Sequence, residues 1–326
     1  MKLAVIVLSL MVASPAFAQS GPSFDCAKAD NTIDRTICKD PELGKADREM
    51  AAAYAALAGK LSGPAKDNLI KDQVRWIGDR NRACLSDTDG MASCLKDRYS
   101  ARTANLKTFA DGAYPSIAEH ALIKRGKLGQ IDWSYDIVYP QFDGNADFAA
   151  LNARFADAAK KKAGDATPGA DARPDLEQHW TYEQSFTVKR PSANVVTIGI
   201  HFWGYSGGAH GYGATHCTLV DLPTGRAVGP QAVFAPGEQW LRVMSQLVGT
   251  DLNKKFVDKP GFDEALEPAN LAKLLSESGR YCWTAKGLEV VFNAYDVGPY
   301  ASGEYEVDIP YDRLKPILRA DGPISR

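Results

Sequence analysis

His201–Gly213 reads HFWGYSGGAHGYG, with glycines at 204, 207, 208, 211 and 213 and histidines at 201 and 210. An alternating apolar pattern from Val195 to Trp203 leads into it, and a second, from Ala214 to Leu222, leads out. Period-two alternation marks strands that bury one face, so the stretch is expected to connect two strands. Glycine reaches backbone conformations closed to other residues, and five of them predict a tightly bent connection. Tyr205, His210 and Tyr212 are then expected to project from a loop held at both ends by a sheet. Loops on rigid scaffolds carry function more often than the scaffold does. The bland alternative is a glycine-rich hairpin with ordinary tyrosines.

The same reading extends over the second half of the chain. Trp133–Tyr139 and Trp180–Val188 alternate as strands, and Asp221–Gly225 is a turn. Tyr281–Ala285, Leu288–Tyr295 and Glu304–Ile309 complete the predicted strands. Asn145 is placed to cap a helix with Phe148, Leu151 and Phe155 on one face, and Ala163–Leu176 has the composition of an exposed loop. Helices are expected at Glu238–Phe256, Pro268–Ser278 and Pro310–Leu318. The predicted architecture is α+β, a mainly antiparallel sheet with helices on one face. A second candidate loop, Tyr295–Gly303, has its turns fixed by Gly298, Pro299 and Gly303, with Tyr295 and Tyr300 flanking them.

Residues 24–110 differ in kind and read as all helical. Thr32–Lys39 makes a short helix, and Pro41 suits the first position of the next. Leu43, Met50, Tyr54, Leu57 and Leu61 recur there at helical spacing until Ser62-Gly63-Pro64 breaks the pattern. Ile70, Val74, Ile77 and Cys84 predict the buried face of a third helix. Met91, Leu95, Tyr99, Leu106 and Phe109 predict that of a fourth. The predicted organisation is a helical bundle at 24–110 and an α+β domain at 115–320, joined by a linker at Asp111–Pro115.

Lys2, an apolar run from Leu3 to Val12 and Ala16-Phe17-Ala18 form a secretory signal peptide over residues 1–18, expected to be cut after Ala18. That run is too short to span a membrane, and no later stretch is longer. The mature chain is therefore expected in the periplasm or outside the cell. Cys26, Cys38, Cys84, Cys94, Cys217 and Cys282 then read as disulfides. Local pairing in the bundle, Cys26 with Cys38 and Cys84 with Cys94, is simplest. Cys38 with Cys84 also fits, and sequence does not choose between them. Cys217 and Cys282 lie in predicted strands, which suggests a bridge between adjacent strands.

Catalytic signatures are missing. Tyr205-Ser206-Gly207-Gly208 lacks the nucleophile-elbow frame, and no HExxH, phosphate loop or dinucleotide fingerprint occurs. The carboxylate pairs Glu304/Glu306 and Asp308/Asp312 fit a solvated strand face. His201, His210 and His216 are close in sequence, but alternation puts His201 with Trp203 and His216 with Thr218, and nothing enforces convergence. No metal, no cofactor and no enzymatic activity are expected. Without a basic patch carrying interleaved aromatics, nucleic acid is not an expected partner. Exposed tyrosine, tryptophan and histidine on rigid loops instead suit a protein interface.

Phe24-Asp-Cys26, Ile37-Cys38-Lys-Asp-Pro-Glu-Leu43, Asp47, Tyr54, Gln73, Trp76, Arg80, Cys84, Cys94-Leu95, Tyr99 and Arg102 resemble the LprI-type lysozyme-inhibitor domain. Asp136–Pro140, Leu151-Asn152, Gly207-Gly-Ala-His-Gly211, Asp221–Gly225, Ala294–Tyr300 and Ile309-Pro-Tyr311 resemble the extracellular domain of the RsiV anti-sigma factor. Together they imply an envelope protein that binds lysozyme and shields peptidoglycan. The contact residues would be Tyr205, His210, Tyr212 and Tyr300. A peptidoglycan-binding or carbohydrate-binding module without inhibitor activity is the alternative. Lysozymes are typically basic, and the residues after 111, with 26 acids and 22 bases, carry the mildly acidic half of the chain.

Overall fold

The computed structural model of the protein describes residues 21–85, 90–110, 116–143, 146–170 and 172–325. The signal peptide, the 111–115 linker and the Asn145 cap fall outside the described residues. The bundle begins with a short 3-10 turn and α1 (Thr32–Lys39), whose first turn is capped by the Asn31 side chain accepting from the Asp34 N–H. Asp40 caps α2 (Pro41–Ala58) in the same way through the N–H groups of Glu42 and Leu43, with Pro41 inside the start. α3 (Gly63–Leu85) and α4 (Met91–Ala110) complete the bundle. The disulfides are the local ones, Cys26–Cys38 and Cys84–Cys94.

Strands β1 (Ser116–Leu128), β2 (Ile131–Asp143), β3 (Gln178–Lys189), β4 (Val195–Tyr205), β5 (Tyr212–Asp221) and β6 (Arg226–Val228) form one sheet in chain order. All neighbours are antiparallel except β2 and β3. That parallel pair is joined by α5 (Ala149–Asp165), because a parallel return needs a crossover. Helix α5 consumes the first residues of the segment expected to be a loop. Two helices follow, α6 (Pro230–Val233) and α7 (Gln239–Lys255), then α8 (Pro268–Leu275). A second, antiparallel sheet contains β7 (Tyr281–Trp283), β8 (Gly287–Phe292) and β9 (Tyr305–Pro310), and α9 (Tyr311–Leu314) leaves it.

Three expectations are corrected. The Cys217–Cys282 bridge forms, but it ties β5 of the first sheet to β7 of the second rather than two adjacent strands of one sheet. The first sheet has helices on both faces. Arg98 of α4 pairs with Asp136 of β2, while Lys162 of α5 sits 5.3 Å over the Phe202 ring of β4. Through the strand register Asp136 aligns with Glu183 and Trp203, and Phe202 with Gln184 and Ile137, so the two contacts lie on opposite faces.

The apolar stripe of α3 faces outward rather than into the bundle. Ile70, Val74 and Ile77 are exposed, at 45, 66 and 38%. The helix buries Leu69, Asp72, Gln73, Trp76, Arg80 and Ala83 instead. This buried side faces α4 and β1. Arg102 of α4 donates to Asp72 at 2.7 Å and to Gln73 at 2.9 Å, and the Glu119 N–H of β1 donates to Asp72 at 3.2 Å. Polar residues rather than a second apolar stripe occupy the junction, and the apolar core runs from the bundle into the six-stranded sheet.

Candidate functional site

The β4–β5 connection is bent where Gly207 and Gly208 take φ of +90° and +100°, values that a side chain rarely tolerates. The Tyr205 hydroxyl donates to the Gly208 carbonyl at 2.9 Å and closes the loop on itself. His210 stands at the tip, exposed. Its ring stacks on Tyr300, with centroids 3.8 Å apart, so the two loops read separately from the sequence meet through it. Nδ1 lies 2.8 Å from the Gly211 carbonyl. A carbonyl can only accept, so Nδ1 carries a proton, and Nε2 lies 3.2 Å from the Tyr295 hydroxyl. Tyr295 itself holds φ at +72°, a conformation costly for a residue with a Cβ, and its side chain is 58% exposed.

Tyr212 is 46% exposed, edge-on to Phe202. Tyr205 and Tyr300 are half-buried. The four candidate residues therefore do not form one patch: His210 and Tyr300 are stacked, Tyr205 braces the loop, and Tyr212 lies on the face of the sheet that carries Phe202. Tyr295, noted in the sequence only as flanking its loop, is the exposed ring that joins the stack.

The histidines do not converge. His201 sits between Thr187 and Thr215, 3.0 Å from each hydroxyl, on the face opposite His216, which stacks on Phe202. Burial lowers the pKa of both rings below the ordinary value. Among the described residues no three His, Cys, Asp or Glu side chains gather as a metal site would require.

In the bundle, Trp76, Arg80 and Tyr99 are core. The Arg80 guanidinium lies 5.4 Å from the Trp76 ring centroid and 5.2 Å from that of Tyr99. Arg80 donates to the Tyr99 hydroxyl at 2.6 Å, and that hydroxyl donates to buried Asp47 at 2.8 Å. These residues hold the bundle together rather than face a partner.

Between α4 and the Asn293–Glu304 loop a cleft of about 920 Å³ opens over the six-stranded sheet. Trp203, 44% exposed, lines it. Strand alternation puts Trp203 on one face with His201, but nothing in the sequence marks the cleft, which needs the bundle and the second sheet in place.

Residues 25–106 match the family described as lysozyme inhibitor LprI, and residues 231–312 match the family described as a protein of unknown function, DUF3298. The His201–Gly213 stretch lies between the two ranges and Tyr300 lies in the second. A comparison with curated proteins finds no match. Several solved structures are similar, two of which are DUF3298 proteins. One is a DUF3298 family protein from Pseudomonas aeruginosa PAO1, 17% identical with a TM-score of 0.45, matched over 63% of this chain and 95% of its own. The other is a DUF3298 family member from Bacteroides fragilis NCTC 9343, 15% identical with a TM-score of 0.45, matched over 64% of this chain and 95% of its own. No helix among the described residues is long and apolar enough to cross a membrane. The chain carries an LprI lysozyme inhibitor domain over residues 25–106 and, over residues 231–312, a DUF3298 domain of the RsiV-like C-terminal family.

Proposed function

We propose that the protein is exported to the cell envelope, where it binds and inhibits lysozyme and so protects peptidoglycan. The observation that carries this reading is the match of residues 25–106 to the lysozyme inhibitor LprI family, with all four bundle cysteines inside the matched range. The disulfides suit an oxidising compartment.

We assign two contact points, the His210–Tyr300 stack on the loop braced by Tyr205, and Tyr212 on the neighbouring sheet face. Aromatic rings pinned by stacking and by a tight loop lose little side-chain freedom on binding, which is why such rings anchor interfaces. The protein acts by binding rather than catalysis, and needs no cofactor. Purified mature protein added to lysozyme and a suspension of cell walls tests the reading. Slower clearing at micromolar protein is expected, and an unchanged clearing rate would refute inhibition. His210→Ala and Tyr212→Ala together should weaken the effect by at least tenfold, about 1.4 kcal/mol.

A further inference from the structure

The floor of the cleft is one face of the six-stranded sheet. Asp136, Thr181, Glu183, Ser185 and His201 alternate onto that face together with Trp203, as the strand register requires. A sheet face between two covering layers is ordinarily apolar. This one is hydroxyl- and carboxylate-bearing, and Glu183 and Ser185 are exposed on it. The α4 residues Asp97 and Arg98 form one wall, and Tyr300, Ser302 and Glu304 the other.

Trp203 is held in place rather than loosely exposed. A Cβ on Gly211 would come within 2.5 Å of the indole Cζ2, and one on Gly213 within 3.5 Å of Cδ1. The glycine backbone of the loop thus lies against one side of the ring. The remaining exposed indole surface borders the polar floor, directly across the strand pair from Glu183.

We propose that this cleft binds an oligosaccharide of pyranose rings. A pyranose presents an apolar C–H face, which an indole covers, and a rim of hydroxyls that both donate and accept, which the floor answers with hydroxyls and carboxylates. The volume is within the range of about 300–1,000 Å³ common for small-ligand sites. Other occupants fit less well. Strand β3 is paired on both sides, so the floor offers no free edge for an extended peptide to join. Arg98 pairs with Asp136, and the remaining acids of the lining, Asp97, Glu119, Glu183 and Glu304, outnumber Arg125, so the cleft disfavours a polyanion.

The probe is a tetramer of β-1,4-linked N-acetylglucosamine, titrated calorimetrically into the whole protein with no lysozyme present. Failure here therefore leaves the lysozyme reading untouched, and failure of the lysozyme assay leaves this one untouched. Saturable binding at sub-millimolar to millimolar ligand is expected. Trp203→Ala should weaken it by about tenfold or more, equivalent to about 1.4 kcal/mol. Trp203→Phe, which keeps a ring, should restore most of it. Ser185→Arg, a change at an exposed position that fills the floor without touching the core, should abolish it. Absence of saturable heat, or binding by Trp203→Ala and Ser185→Arg equal to that of the unaltered protein, would overturn the proposal.

Discussion

Arg102 has no exposed surface and stands between two carboxylates, 2.7 Å from Asp72 and 3.6 Å from Glu119. Burying three charges is costly in itself, and removing one partner strands the others. Arg102→Met is therefore expected to lower unfolding free energy by about 3–5 kcal/mol, measured in urea. Glu119 shows the other side of the same cluster. Burial raises its pKa above the ordinary 4.5, and the attraction of Arg102 only partly opposes this. The folded chain then holds that proton more tightly than the unfolded one. Its contribution is fully present below about pH 4.5 and is lost as pH rises through the folded value. Glu119→Gln, neutral throughout, should accordingly gain stability relative to the unaltered protein between about pH 4 and pH 7. A gain in the opposite direction would show that the Arg102 attraction dominates. At this scale the sequence was informative where glycines gather. The loop of residues 206–211 and the projection of His210 follow from backbone freedom alone. The placement of Trp203 in a cleft is not legible, because a cleft is made by what covers the sheet and not by the strand that carries the ring.

The elements were legible where apolar residues follow one period. α1, α2 and α4 and strands β2 to β5 carry such patterns and lie where these place them, to within a few residues. β1 was missed, because Lys124, Arg125 and Lys127 hide its alternation; those charges suit a strand at the sheet edge, where they discourage pairing with other chains. α3 misled for the opposite reason. Its apolar stripe of Ile70, Val74 and Ile77 faces outward, while Asp72, Gln73 and Arg80 are buried by partners on α4 and β1. Val74→Lys should thus change stability by no more than about 0.5 kcal/mol, whereas Leu69→Ala should cost about 2–5 kcal/mol. Thermal unfolding of the two variants distinguishes this arrangement from the one that apolar periodicity predicts. The disulfides differ by the loop they close. Cys217–Cys282 closes a separation of 65 residues, against 12 and 10 for the bundle bridges. Chain entropy assigns it about 4 kcal/mol and each of the others about 3. Replacing both of its cysteines by alanine should lower the melting temperature more than either bundle pair does.

At the scale of the whole molecule the bundle and the first sheet are tied by groups that neither satisfies alone. Asn68 bonds Asp143, Arg98 bonds Asp136, and Asn105 bonds Glu119 at 3.1 Å. We propose the division at residues 111–115 as a boundary in the chain rather than in the core. Calorimetric unfolding should then show the bundle and the six-stranded sheet melting in one transition, and two well-separated transitions would contradict the coupling. The same arrangement sets the bundle beside the cleft and the His210–Tyr300 stack on the rim of the second sheet. The proposed protein-binding and glycan-binding surfaces therefore adjoin at Tyr300, which stacks on His210 and lines the cleft. Isothermal titration of the purified mature chain into lysozyme tests the central claim most directly. Saturable one-to-one binding at micromolar affinity or tighter, weakened at least tenfold by the paired His210→Ala and Tyr212→Ala changes, is the predicted result, and the absence of any binding heat across that range would contradict it.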